Sequence, residues 1–263
     1  MHSLVTLIRG SDDDVAALRA AVALAQAVGA RLTVVHAVDV DMRAVAAFET
    51  AAAGLDAANK NLARAPARAA FKEVCGHIPG CRLLEFDTKA AETVERISPY
   101  HDTVVVGRLA AVDGPGAKVF SSALWEAGSA VLVCPPGAPS AVRHVAIAWN
   151  GSAQAGRALR AAMPFVGQAE RVTVLYRRSG AEDEELKRYL ATHEVRSAAF
   201  GSYGASGLTA RGWGRALLAE VKMLGADLLV MGAYGGRVSN LLGFGRATEK
   251  IVTSSSVPVL LSA

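Results

Sequence analysis

Cysteine is scarce in this sequence: Cys75, Cys81 and Cys134 make an odd number with no C-x-x-C pair. That argues against a disulfide framework and fits reduced thiols in a cytosolic fold, where free cysteine packs like a small hydrophobe. Long apolar runs are also lacking. Thr103 to Gly107 and Asp227 to Gly232 are only short runs, against roughly 20 residues for a bilayer crossing, so no membrane partner is expected. Met1-His2-Ser3 leads straight into an apolar strand pattern without the basic n-region and long h-region of a signal peptide, so a cytoplasmic location is expected. No stripe of positive charge exists. The 28 Lys+Arg and 24 Asp+Glu give a net charge of +4 and are scattered along the chain, which speaks against a nucleic-acid partner. His2, His36, His77, His101, His144 and His193 form neither H-x3-H nor H-E-x-x-H, and no G-x-S-x-G elbow occurs. No metal site and no catalytic residue is therefore expected. At most the chain would be a slow ATPase.

What the sequence has in abundance is apolar content, 52% hydrophobic against 20% charged residues, enough to bury a substantial core. It also repeats itself. Gly10-Ser11 followed by Leu18-Arg19-Ala20-Ala21 recurs as Gly151-Ser152 followed by Leu159-Arg160-Ala161-Ala162. Arg31 to Val35 recurs as Arg171 to Leu175, and Asp102 to Gly107 as Asp227 to Gly232. Each copy closes on an apolar run, Val131 to Val133 and Val259 to Leu261, and the breaker cluster Pro135-Pro136-Gly137-Ala138-Pro139 separates them. These matches divide the chain into domains at 1–138 and 143–263.

Short Val/Ile/Leu-rich runs alternate with longer Ala-rich segments, the pattern of parallel strands joined by helical crossovers. The expectation is α/β: two tandem doubly wound domains, each a mainly parallel sheet flanked by helices. In the second copy strands are expected near 144–149, 171–176, 195–200, 227–231 and 257–261, and helices near 153–166, 183–192, 211–224 and 245–254. The insertion from Met42 to His77 carries Lys60, Arg64, Arg68 and Lys72 at four-residue spacing. That spacing predicts one solvated helix face, with Pro66 as a point of kinking or interruption. Ser11 and Asp12 to Asp14 read as capping residues.

The second copy also holds a glycine loop. The strand ending near 231 runs into Gly232-Ala233-Tyr234-Gly235, and nine residues later Gly245-Arg246-Ala247-Thr248 opens the last helix. Glycines allow close backbone approach, and a helix N-terminus favours phosphate. The same glycines also suit a tight strand-to-helix connection with no ligand. The spacing is neither a Walker A loop nor a Rossmann fingerprint. Tyr203 to Gly214 is a second glycine-rich stretch, either a border of the same cleft or a loop apart from it.

The G-x2-G-x9-G arrangement, together with "WNGS" at Trp149 to Ser152 and the terminal "VPVLL", resembles the universal stress protein family, in particular its tandem bacterial members. The resemblance covers both halves. It implies a five-stranded parallel sheet per domain, intrachain pairing of the domains through their last strands, and adenine-nucleotide binding in some members. On that pattern Gly232, Gly235 and Gly245 match the loop glycines, Thr248 a hydroxyl position near the phosphates, and Ala247 lies between them. Arg246 stands where the family has Ser or Thr, and Asn150 where binding members carry an Asp facing the adenosine. The implied ligand is ATP or a related adenine nucleotide, with or without Mg²⁺, in a stress-response protein of regulatory or protective role. Asn150 and Arg246 motivate a second reading, a dimerising scaffold that binds no nucleotide, forms a homodimer or takes a protein partner. In the first copy Arg9, Ala110 and Phe120 replace the corresponding residues, which implies that this half lacks the site.

Overall fold

In this computed structural model the apolar runs form strands and the Ala-rich stretches helices; it describes residues 2–8, 13–38, 52–108, 115–139, 141–177, 183–195, 198–204, 209–233 and 245–263. The first half comprises β1 (Ser3–Ile8), α1 (Asp13–Ala27), β2 (Arg31–Ala37), α2 (Ala52–Cys75), β3 (Arg82–Phe86), α3 (Ala90–Ile97), β4 (Thr103–Gly107), α4 (Pro115–Ser121) and β5 (Ala130–Cys134). The second comprises β6 (His144–Trp149), α5 (Ala153–Val166), β7 (Arg171–Tyr176), α6 (Glu184–Thr192), β8 (Ala198–Ser202), α7 (Ala210–Leu224), β9 (Leu228–Gly232), α8 (Arg246–Ser254) and β10 (Val259–Ser262). All ten strands join one sheet in the order β3-β2-β1-β4-β5-β10-β9-β6-β7-β8. Within each half neighbouring strands run parallel, whereas β5 and β10 meet antiparallel through Val133↔Val259, Leu132↔Leu260 and Val131↔Leu261. The doubly wound α/β architecture expected from the sequence is present twice.

Because strand side chains alternate between faces, the sheet feeds two apolar layers. Leu4, Ile8, Val34, Val105, Leu132, Ile147, Val174, Val230 and Leu260 point toward α1, α2, α5 and α6. Val5, Val35, Val104, Val133, Ala146, Leu229, Met231 and Leu261 point toward α3, α4, α7 and α8. Strands covered on both faces read as continuous apolar runs, which is why the sequence shows Thr103 to Val106 and Leu228 to Met231 without alternation.

Each half is locked at the opposite, N-terminal edge of its strands by an aspartate and a histidine. Asp102 Oδ2 accepts from the His2 and Ser3 amides at 2.6 and 3.0 Å, and Asp227 Oδ2 from the Arg143 and His144 amides at 2.9 Å each. Burial alone would raise the Asp102 carboxyl, but these amide donors and the nearby N-terminus hold it below its ordinary range. His101 Nε2 lies 3.0 Å from Thr33 Oγ1, and His144 Nε2 lies 2.8 Å from Thr173 Oγ1; Nδ1 of each ring faces a carbonyl, of Ile97 and Leu224 respectively. The two halves thus bring an imidazole to equivalent threonines from different chain positions.

Several expectations change in detail. The strand expected at 195–200 begins at Ala198, because Val195 belongs to the end of α6. There Glu194 adopts φ +61°, its amide donates to Ala191 O, and the Val195 amide donates to Leu190 O. This is a Schellman closure in which a buried valine mimics the apolar start of a strand. The basic face of α2 is also not simply solvated. Lys60 and Arg64 reach Asp87, and Arg68 binds Glu85 through two bonds of 2.9 and 2.8 Å, so much of the stripe is neutralised by acids at the end of β3. The helix runs on through Pro66 rather than ending there. Residues 42–51, Ser11 and Asp12 lie outside the described residues, as do the side chains of Asp13 and Asp14.

Two predictions follow from these helix and histidine contacts. A non-glycine residue in the left-handed region costs about 1 kcal/mol, so Glu194→Gly is expected to raise the unfolding free energy by roughly that amount in urea denaturation. Burial pushes the His144 imidazole down, helped by the Arg171 charge, and the Leu224 carbonyl keeps the proton of the neutral ring on Nδ1. The unfolded chain therefore takes up a proton first as pH falls. Stability from this site is present above the unfolded pKa, roughly 6.5, and is lost as pH drops through it toward the folded value. Urea titrations between about pH 7.5 and 5.5 should show a loss of stability that is smaller in His144→Gln.

Candidate functional site

β6 and β9 lie side by side and parallel, but the chain leaves them in different directions: β6 feeds α5 on one face, whereas β9 precedes α8 on the other. Such a divergence opens a crevice at the carboxyl edge of a parallel sheet, the usual ligand position in doubly wound folds. Asn150, Gly232, Gly245, Arg246, Ala247 and Thr248 belong to the chain segments around this edge. Gly235 lies outside the described residues.

The turn after β6 is built on side-chain oxygen atoms. Gly151 takes φ +72°, and Asn150 Oδ1 accepts from the Ser152 amide at 3.3 Å and from the Ser152 hydroxyl at 2.9 Å. Ser152 Oγ in turn accepts from the Ala155 amide at 3.1 Å and caps α5. The Asn150 oxygen is thus engaged locally, while its side chain remains exposed. One residue earlier, Trp149 Nε1 donates to Asp183 Oδ2 at 2.8 Å. Asp183 Oδ1 caps α6 through the Leu186 amide, and these donors hold its carboxyl below the ordinary range.

Gly232 has a demanding structural duty. A Cβ on it would stand 2.6 Å from Ala155 N, 2.8 Å from Gln154 Cβ and 2.9 Å from Gln154 C. The end of β9 therefore lies directly against the first turn of α5, a distance that only glycine allows. The following Ala233 is fully buried and its amide donates to Ser262 O.

Gly245 is the N-cap residue of α8 and supplies no side-chain cap to the first-turn amides. Arg246 is exposed and Ala247 half-buried beside α7, where a Cβ on Gly214 would meet Ala247 O at 2.9 Å. Thr248 is 1% exposed, and its Oγ1 has no hydrogen-bond partner among the described residues. A helical threonine can return its hydroxyl to a carbonyl one turn back, as Thr253 does to Glu249 O at 2.8 Å in the same helix. The first turn of α8 therefore combines a helix N-terminus lacking a side-chain cap with a buried hydroxyl that has no partner among the described residues, a combination suited to an anionic oxygen. Among the described residues no cluster of His, Cys, Asp and Glu could hold a metal ion.

The first half differs at the matching positions. Phe120, as far from Gly107 in sequence as Gly245 is from Gly232, does not precede a helix but stands inside α4, where it is fully buried in the apolar layer. Arg108 reaches across the midline to Ser255 O at 3.4 Å. Arg9 and Ala110 lie outside the described residues. In the second glycine-rich stretch, Gly204 has φ +84° and sits flat against the Trp213 ring, with Tyr203 edge-on to the same indole at 6.0 Å. Residues 205–208 are outside the described set.

A cavity of about 440 Å³ lies between α5 and α6, lined by Trp149, Leu159, Arg160, Asp183, Leu186 and Tyr189 among others. None of the expected site residues lines it, and an apolar groove between helices is a weaker signal for phosphate than the polar geometry at α8. Trp149 and Asp183 are the residues that sequence reasoning passed over. Their signal is faint: an aromatic beside Asn150 and an acid just before a helix.

A universal stress protein from Archaeoglobus fulgidus DSM 4304 superposes on this chain with a TM-score of 0.71 at 14% identity, over 99% of this chain and 97% of that one. The chain has the universal stress protein fold. A functionally unknown protein from Pseudomonas aeruginosa PAO1 and a candidate universal stress protein from Pseudomonas aeruginosa UCBPP-PA14 give TM-scores of 0.61 and 0.59. Both are 13% identical and span 99% of this chain and 92% of their own. Protein-family sequence models give no match, and neither does a sequence search of curated proteins. The resemblance read from the sequence thus holds at the level of the universal stress protein fold, over both halves.

The glycine contacts separate the two copies. Among the described residues a Cβ on Gly107 would meet only Ala17 Cβ, at 3.9 Å, whereas one on Gly232 collides with backbone. Gly232→Ala is expected to cost about 1–3 kcal/mol and Gly107→Ala less than about 1 kcal/mol, read by chemical denaturation of each variant.

Proposed function

We propose that the chain is a tandem universal stress protein, with domains at 1–138 and 143–263, whose second domain binds the phosphates of an adenine nucleotide such as ATP at the start of α8. The first domain serves as its fixed structural partner, and the output is a regulatory or protective role in the cytoplasm. The observation that carries this reading is the Thr248 hydroxyl, buried and without a partner among the described residues, beside a helix N-terminus that has no side-chain cap. A buried polar atom without a partner costs about 1–3 kcal/mol; a phosphate oxygen accepting its proton would offset that cost. Arg246, exposed at the same turn, is a cation suited to pair with phosphate. Gly235 is proposed as part of the same loop. Mg²⁺ would arrive with the nucleotide phosphates. No described group is placed as a catalytic base, so hydrolysis is not part of the proposal.

One observation favours a different reading. The Asn150 oxygen, which the family resemblance assigns to the adenosine side, already accepts two bonds from Ser152. A chain that keeps this turn would use the same fold as a scaffold for a second copy or a protein partner.

Ligand binding to the folded state alone stabilises it by mass action, about 2.7 kcal/mol at a hundredfold excess over Kd. Millimolar ATP, with and without Mg²⁺, is therefore expected to raise Tm. Thr248→Val keeps the shape and removes the orphan hydroxyl, so ligand-free Tm should stay level or rise while the ATP-induced shift disappears. A wild-type Tm unchanged by ATP, supported by calorimetry without heat of binding, would remove the nucleotide reading and leave the scaffold.

A further inference from the structure

Cys75 closes α2 and Cys81 immediately precedes β3. The chain between them is folded into two consecutive tight turns, with the Ile78 amide donating to Cys75 O at 2.9 Å and the Cys81 amide to Ile78 O at 3.2 Å. Gly80 at φ +77° completes the reversal. This reversal brings the two cysteine side chains close enough for each thiol to influence the other, a pairing with no C-x-x-C signature in the sequence. Both pack against the apolar layer of the first half, but unequally: Cys75 is 1% exposed, whereas Cys81 is half-buried at the rim.

We infer that Cys75 and Cys81 form a peroxide-oxidisable dithiol, in which Cys81 is the attacking thiol and Cys75 the resolving one. The oxidant is hydrogen peroxide or a small hydroperoxide. The Cys81 thiolate sulfur attacks one peroxide oxygen, the O–O bond breaks, and the departing hydroxide takes a proton to leave as water. Cys81 is then a sulfenic acid, oxidised by two electrons. The Cys75 sulfur gives up its proton and attacks the Cys81 sulfur; the S–O bond breaks, a second water leaves, and the S–S bond closes. A reducing dithiol returns both thiols.

The division of roles follows from the surroundings. The Cys75 thiol and the Arg82 amide both donate toward the Cys81 sulfur, and they hold its pKa below the ordinary thiol value against the effect of burial. The thiolate is the nucleophile, so this sulfur is the more reactive. Donation to Cys81 and burial push the Cys75 thiol upward, which suits a group that acts second. Cys134, enclosed in β5, is an internal control: burial alone pushes it up to about 12. Closing the bond would tie the C-terminus of α2 to the start of β3, the edge strand of the sheet.

The test uses the intact full-length protein. After graded hydrogen peroxide, remaining thiols are alkylated under denaturing conditions and read by intact mass and peptide mapping. Two of the three thiols should disappear together, with Cys75 and Cys81 recovered in one cross-linked peptide, Cys134 still alkylated, and dithiothreitol restoring all three. In Cys75→Ser, dimedone should trap a sulfenic acid on Cys81; in Cys81→Ser, the same peroxide should leave Cys75 reduced. Wild-type protein that yields sulfinic acid at either residue without an intrachain cross-link, that joins chains instead, or that keeps all three thiols would overturn the proposal. The wild-type readout does not depend on either variant folding, and none of these outcomes bears on nucleotide binding.

Discussion

Val131, Leu132 and Val133 of β5 lie against Leu261, Leu260 and Val259 of β10, and this short antiparallel ladder joins two parallel five-stranded sheets into one. All six side chains are at most 1% exposed. Neither strand could stand as an open edge without presenting unpaired amides and a purely apolar surface to water. Pairing them satisfies the amides, and placing their side chains in the layers on both faces removes the apolar surface. The two edges that remain, β3 and β8, are the less enclosed strands, with half-buried and exposed residues along them.

From that midline outward the halves repeat the same solutions with different residues. An aspartate clamps the start of the first strand in each, and an imidazole bridges an equivalent threonine to a helix-end carbonyl. Those groups sit at the edge away from the crevice between β6 and β9. At the crevice edge the halves part company. One has a helix start with a buried hydroxyl that finds no partner among the described residues; the other has an arginine, Arg108, turned toward its partner half. A group that maintains the scaffold is thus retained in both copies while the chemistry of the opposite edge diverges, which is possible because the two edges share little beyond the strands themselves.

Much of this organisation can be read directly from residues. The repeated Arg-x-Thr-Val pattern at Arg31 and Arg171 marks β2 and β7, and the expected bounds of β6 and β7 coincide with those observed. Such strands are legible because double-sided burial demands a run of apolar residues whatever surrounds them. Val195 shows the limit: an apolar residue after a helix serves equally as a strand start or a Schellman contact, and only the left-handed Glu194 decides. The stripe on α2 is legible as a basic face but not as a paired one, since its acids arrive from β3. Gly232 stands out in the sequence, yet the reason it must be glycine depends on Gln154 and Ala155, which the fold brings beside it. The contact between Cys75 and Cys81 is likewise a product of two turns rather than of any spacing rule. Thr248 can be placed by pattern, but the lack of a partner for its hydroxyl is a property of three-dimensional packing.

Carrying both last strands in a single polypeptide has a further consequence. When two identical chains meet through such a ladder, every substitution appears on both sides of the axis, so a change that improves one copy is imposed on the other. Their association also weakens as the protein is diluted. A covalent linker removes both constraints: the second strand is held at a high effective concentration at any dilution, and each copy can accumulate its own substitutions. Gly107 with room beside it in one half and Gly232 pressed against α5 in the other are what such freedom permits, an asymmetric molecule assembled around a nearly symmetric joint.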